Sequence, residues 1–189
     1  LIASGIPVRH SFYEHVDAVS ARRELGLPTD KRVVLMMCGS MGCGPIMSIA
    51  RRIGRDLPDD QDLTIVCGTN KQLYRRLQRR FYDAKNVHVR SYVKDMALLM
   101  DSADLYLTKP GGISTTEAMV KGLPMVLVNV VGGCETPNLE FFVAHGGAAT
   151  ADTPEAIAAL CKQLLEHDEE RLIMRQSLLA MHKIPCLLY

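Results

Sequence analysis

Leu105-Tyr106-Leu107-Thr108-Lys109-Pro110-Gly111-Gly112-Ile113-Ser114-Thr115-Thr116-Glu117 reads as a strand, a turn and the start of a helix. The run Leu105–Thr108 is short, apolar and β-rich, as a strand buried on both faces should be. Pro110 ends it, because proline brings no N–H to a ladder, and the glycine pair permits a sharp turn. Ser114, Thr115 and Thr116 then open a helical pattern that runs to Lys121, with hydroxyls and free N–H groups at its start. A helix start carries roughly half a positive charge, which suits an anion such as a diphosphate.

The same punctuation repeats in both directions. Apolar runs at Arg32–Cys38, Leu63–Cys67, Val87–Val89, Met125–Val130 and Ala148–Thr150 alternate with helical patterns. The patterns lie at Pro45–Arg55, Lys71–Phe81, Asp95–Asp101, Glu135–His145, Pro154–Glu166 and Glu169–Met181. Thr153 before Pro154 is an N-cap followed by a first-turn proline. This alternation specifies an α/β fold, a doubly wound Rossmann-like parallel sheet of about six strands with helices on both faces. Such sheets bind ligands beyond the carboxyl ends of their strands, so the residues just after each strand are the candidates for chemistry.

The chain has 189 residues, 48% of them hydrophobic and 23% charged. It suits one domain, or one half of a two-lobed enzyme. A net charge of +1 makes no electrostatic case for nucleic acid. No apolar run approaches the roughly 20 residues of a membrane helix, and the opening residues do not read as a signal peptide. Cys38, Cys43, Cys67, Cys134, Cys161 and Cys186 form no C-x-x-C pair and read as reduced thiols of a cytosolic protein.

The loops that follow strands are read in turn. Cys38-Gly39-Ser40-Met41-Gly42-Cys43-Gly44-Pro45 is G-x-x-G-x-G, not the G-x-G-x-x-G of dinucleotide enzymes. A NAD site would also want Asp or Glu after the second strand, where this chain has Gly68-Thr69-Asn70. The loop at Gly39 and Ser40 is either a phosphate contact or a tight turn. Glu117, placed in the first turn of its helix, either accepts hydrogen bonds from both ribose hydroxyls or caps the helix. Glu135 and Asn138, three apart at a helix start, either take the hydroxyls of a hexose or act as caps. Ser91-Tyr92-Val93-Lys94-Asp95-Met96 offers backbone that pairs with a planar base edge. Other features are set aside. Asp60-Gln61-Asp62 has the form of a D-x-D metal motif but precedes a strand, and reads as a solvated turn. Lys71, Arg75, Arg76, Arg79 and Arg80 read as a solvated helix face ahead of a membrane contact. His15, His88 and His145 read as structural.

Taken together, Gly5-Ile6-Pro7-Val8 with Phe12, then C-G-S-M-G-C-G-P, T-K-P-G-G-I-S-T-T-E-A and G-C-E-T-P-N resemble one family. It is the GT-B glycosyltransferases of family 28 that include processive diacylglycerol glucosyltransferases and plant monogalactosyldiacylglycerol synthases. The enzyme that makes lipid II is a more distant relative. The resemblance spans nearly the whole chain and implies the C-terminal, donor-binding lobe of a two-lobed enzyme. It implies that the backbone of Val93 holds uracil and Glu117 the ribose. Gly112, Ile113 and Ser114 would receive the diphosphate, with Gly39 and Ser40 on its other side. Glu135 and Asn138 would hold the hexose. Arg9 would reach a phosphate or form an interdomain salt bridge. Where many relatives have Gly-Gly-Ser this chain has Cys38-Gly39-Ser40.

The implied partners are UDP-glucose or UDP-galactose and a lipid acceptor, diacylglycerol, with transfer by inversion, no cofactor and no obligatory metal. Nucleic acid is not among them. The implied setting is the cytoplasm, with the parent peripheral at the inner face of the cell membrane. Residues 1–15 read as an interdomain linker, 16–180 as the donor domain and 181–189 as a tail toward an acceptor lobe. The general base would lie in that N-terminal lobe, so this chain alone is expected to bind the donor without transferring it. Two alternatives are a UDP-sugar 2-epimerase and a non-catalytic nucleotide-binding module.

Overall fold

Six apolar runs become six parallel strands in the computed structural model, which describes residues 6–39, 45–128 and 135–182. The strands are β1 (Arg32–Met37), β2 (Gln61–Val66), β3 (Val87–Arg90), β4 (Leu105–Thr108), β5 (Met125–Leu127) and β6 (Ala148–Thr150). The helices are α1 (Ala18–Glu24), α2 (Ile46–Arg55), α3 (Lys71–Arg80), α4 (Met96–Asp101), α5 (Gly112–Lys121), α6 (Thr136–Ala144), α7 (Pro154–Glu166) and α8 (Asp168–His182). One 3-10 turn, His10–Phe12, precedes them.

The sheet order is β3-β2-β1-β4-β5-β6, and every neighbouring pair is parallel. The chain winds outward from β1 through β2 and β3, then returns to β1's other side with β4. The loops after β1 and β4 therefore leave in opposite senses, which opens a crevice between them. At that point Met37 is in register with Thr108, whose hydroxyl donates to the Met37 carbonyl at 2.6 Å.

Alternation along the strands sends side chains to two cores. Val34, Met36, Leu63, Ile65, Leu105, Leu107 and Val126 pack with α2, α3 and α7. Val33, Leu35, Tyr106, Met125 and Leu127 pack with α4, α5, α6, α8 and Phe12. The doubly wound sheet with helices on both faces is thus the observed architecture.

Three local readings change. α1 is an additional helix, started by Asp17, whose carboxylate accepts from the Ser20 N–H at 2.9 Å. Asp62 is not in a solvated turn: β2 begins at Gln61, and the Asp62 side chain is buried. Lys31 Nζ lies 2.9 Å from one of its oxygens and His88 Nε2 2.8 Å from the other, so the buried charge is paired. Third, α5 starts at Gly112 rather than Ser114, because Gly111 is extended and serves as N-cap.

Residues 6–15, read as a linker, run across the domain's own core. Phe12 is fully buried, and Arg9 lies over its ring. The Lys121 ammonium, itself buried, holds this segment by donating to the Glu14 carbonyl and to Asp101. Cys38, Cys67 and Cys161 are buried, and burial pushes the Cys67 thiol up to about 11 and the Cys161 thiol up to about 12. The other three cysteines lie outside the described residues.

Candidate donor-binding cleft

A cleft of about 450 Å³ lies over the carboxyl ends of β1 to β4. Met37 and Val66, at the ends of β1 and β2, give it an apolar floor, with Met96 nearby. Of the residues singled out in the sequence, Arg9, Val93, Gly112, Ile113, Ser114, Glu117 and Glu135 all line it. The segments after β3, β4 and β5 and the N-terminal segment thus bring them to one place.

Its anion-binding end is the start of α5. Thr115 N–H is the first to close a helical bond, to the Gly111 carbonyl at 3.0 Å. Gly112, Ile113 and Ser114 are the first three helical residues, whose N–H groups have no carbonyl one turn back inside the helix. The Thr115 and Thr116 hydroxyls are turned back onto the carbonyls of Gly111 and Gly112. Ile113 lines the cleft and is 64% exposed.

Glu117 sits six positions into α5, beyond the first turn, so it is not a cap. It is only 8% exposed, and desolvation pushes its carboxyl above the usual carboxylate range. The Arg9 guanidinium, 3.7 Å away, opposes that rise. Arg9 is itself mostly exposed, so the pair closes one wall of the cleft while leaving the cation within reach of solvent or ligand.

The opposite wall holds Glu135, the N-cap residue of α6, ion-paired with Lys109. The Lys109 stem also crosses Gly39, where a Cβ would come within 3.0 Å of Lys109 Cε. Gly39 has φ +74°, which a side chain would strain as well. Asn138 sits on the rim rather than in the lining, donating to the Pro110 carbonyl at 3.1 Å. Its Nδ2 is 3.7 Å from where a Gly112 Cβ would stand. Ser40 lies outside the described residues.

Tyr106 is a residue the sequence did not single out. It lies fully buried beneath α5, next to Ser114 and Thr108, and its hydroxyl closes no hydrogen bond of good geometry. Burial raises its pKa, so it stays a neutral donor. A tyrosine inside an apolar strand gives no hint of this, since the run reads the same with any large side chain.

Residues 33–183 match the Glycosyltransferase family 28 C-terminal domain. The chain belongs to this family. The family 28 domain is 32% identical, over 183 residues, to a probable chloroplastic monogalactosyldiacylglycerol synthase of Nicotiana tabacum, covering 92% of this chain and 34% of that protein. It is 32% identical over 166 residues to a processive diacylglycerol beta-glucosyltransferase of Staphylococcus haemolyticus, covering 87% of this chain and 42% of that one. It therefore spans less than half the length of these relatives. In fold it is similar to Alr3699/HepE of Anabaena, solved in complex with UDP and glucose: TM-score 0.73, 18% identity, 95% of this chain and 50% of that one. The sheet and its flanking helices match the C-terminal lobe of GT-B glycosyltransferases.

Proposed function

We propose that the cleft binds a UDP-hexose and that this domain is the donor lobe of an inverting glycosyltransferase acting on a lipid, diacylglycerol being the favoured acceptor. The observation that carries the reading is the start of α5: the first three helical residues, whose N–H groups have no partner within the helix, line the cleft, with the buried Glu117 one turn behind. Sheet order arranges the subsites in the order of the donor. The base falls near Val93, after β3, and the ribose at Glu117. The diphosphate falls at Gly112, Ile113 and Ser114, after β4, with Gly39 opposite. The hexose falls at Glu135 and Asn138, after β5. Arg9, released from Glu117, has the reach to meet a phosphate. That two relatives are a probable monogalactosyldiacylglycerol synthase and a processive diacylglycerol beta-glucosyltransferase supports a hexose and a lipid acceptor.

In this reading an acceptor hydroxyl attacks the anomeric carbon from the face opposite UDP. The carbon–oxygen bond to UDP breaks with its electron pair, and a general base on the opposing lobe takes the hydroxyl proton. Fixed dipoles at Ile113 and Ser114 meet the charge that develops on the departing diphosphate, so no metal is obligatory. One such donor is worth about 3 kcal/mol of barrier.

Calorimetry with UDP tests the reading. Heat of binding that drops at least roughly tenfold in affinity in Glu117→Ala is expected, since hydrogen bonds to a charged group are worth about 1.5–3 kcal/mol. Saturating UDP that gives neither heat nor a thermal shift overturns it.

A further inference from the structure

Six cations and one acid lie between Lys71 and Lys85, in a chain whose net charge is only +1. The rest of the molecule is therefore net acidic, and positive charge is concentrated on one element. α3 carries Lys71, Arg75, Arg76, Arg79 and Arg80 and no acid. All five are exposed; Lys71, Arg75, Arg76 and Arg79 lie on the side away from the buried Leu77, and Arg80 flanks it. Among the described residues, none of the five enters an ion pair.

A helix face that merely meets water interleaves its signs, because like charges four apart repel. Here Lys71, Arg75 and Arg79 repeat at that spacing, as do Arg76 and Arg80. The helix dipole favours Arg79 and Arg80 in the last turn but disfavours Lys71 in the first. The cluster continues past the helix, where Arg55, Arg79, Arg80 and Tyr82 border a groove of about 340 Å³. Asp83 is the groove's one carboxylate, and Tyr82 is 86% exposed.

We propose that α3 and Tyr82 form a docking surface for an anionic phospholipid bilayer. Guanidinium groups match phosphate oxygens in pairs, and an exposed tyrosine, apolar in body and polar at its tip, suits headgroup depth. α3 begins three residues after Gly68, which lines the donor cleft, so docking holds that cleft close to the membrane surface. The choice of a bilayer rests on the lipid-acceptor reading, whereas the charge cluster does not. A nucleic-acid partner is disfavoured by the near-neutral whole and because Tyr82 is the one exposed aromatic described on this face, where strand binding calls for several.

Tyr82→Trp supplies the test, because the chain has no other tryptophan. Its emission should shift to the blue with phosphatidylcholine vesicles containing about one-third phosphatidylglycerol, and not with phosphatidylcholine alone. The shift should fade as salt shortens the screening length. Adding Arg75→Gln and Arg79→Gln should weaken vesicle binding roughly tenfold or more while UDP heat is retained. Lys71→Gln with Arg76→Gln is the second pair, should the first not fold. No shift on acidic vesicles, equal binding to neutral ones, or tighter binding to single-stranded RNA overturns the proposal. Lost UDP heat with vesicle binding intact would instead count against the donor-site reading alone.

Discussion

At the residue scale, Glu117 shows how function and stability oppose each other. Its folded pKa is raised by desolvation above the unfolded carboxylate value. Between those two values the folded state holds the extra proton, so stability falls as pH rises through that window and the penalty is complete above it. Glu117→Gln should therefore raise the melting temperature of the ligand-free protein at neutral pH, an advantage that disappears once acid protonates the wild-type carboxyl. UDP affinity should move the other way: lower in the variant, and in the wild type falling as pH drops through the raised value. Melting curves with and without UDP across that range check both. Tyr106 makes the companion case. Its buried hydroxyl has no partner of good geometry, so Tyr106→Phe should cost little or stabilise the ligand-free fold. Asp62 is the residue the sequence misplaced. Its neighbours Asp59 and Asp60 make it look like part of a polar turn. The lysine and histidine that pair with it come from positions 31 and 88, which no local pattern links.

At the element scale, the strands and the longer helices were legible because their periodicity is set by burial on known faces. α1 was legible too: Asp17 as cap and Gly26 past the end frame it, but the short pair of turns between them carries too little periodicity to stand out. The start of α5 was two residues off because glycines at a helix start resemble turn glycines. That small error decided a chemical reading, since it moves Glu117 out of capping range and places the free N–H groups at Gly112 to Ser114. Gly147 carries the element-scale prediction. A Cβ there would stand 2.6 Å from Leu178 Cδ2 and 2.7 Å from Met181 Cε, where α8 closes over the edge strands. Gly147→Ala should destabilise the domain by about 1–3 kcal/mol, as overpacking does, with UDP affinity unchanged per folded molecule. Denaturant melts and calorimetry separate the two effects.

At the scale of the whole molecule, the cleft is the joint product of distant segments, and one buried ion pair fixes their arrangement. Lys121 at the end of α5 pairs with Asp101 at the end of α4 at 2.6 Å, with both side chains nearly fully buried. The same ammonium takes the Glu14 carbonyl, and Asp101 also accepts the Val16 N–H at 3.4 Å. The segment carrying Arg9 is thus tied down at 14–16 before it reaches the cleft. Removing one partner leaves a buried charge without compensation, so Lys121→Met should cost about 3–5 kcal/mol. Lys121→Met with Asp101→Leu should recover much of that, because the desolvation penalty of both charges disappears together. The double variant would still lack the tie to Glu14. If that tie is what presents Arg9, the double variant should regain its melting temperature while UDP affinity stays below wild type. Recovery of both together would show that the pair serves the fold alone.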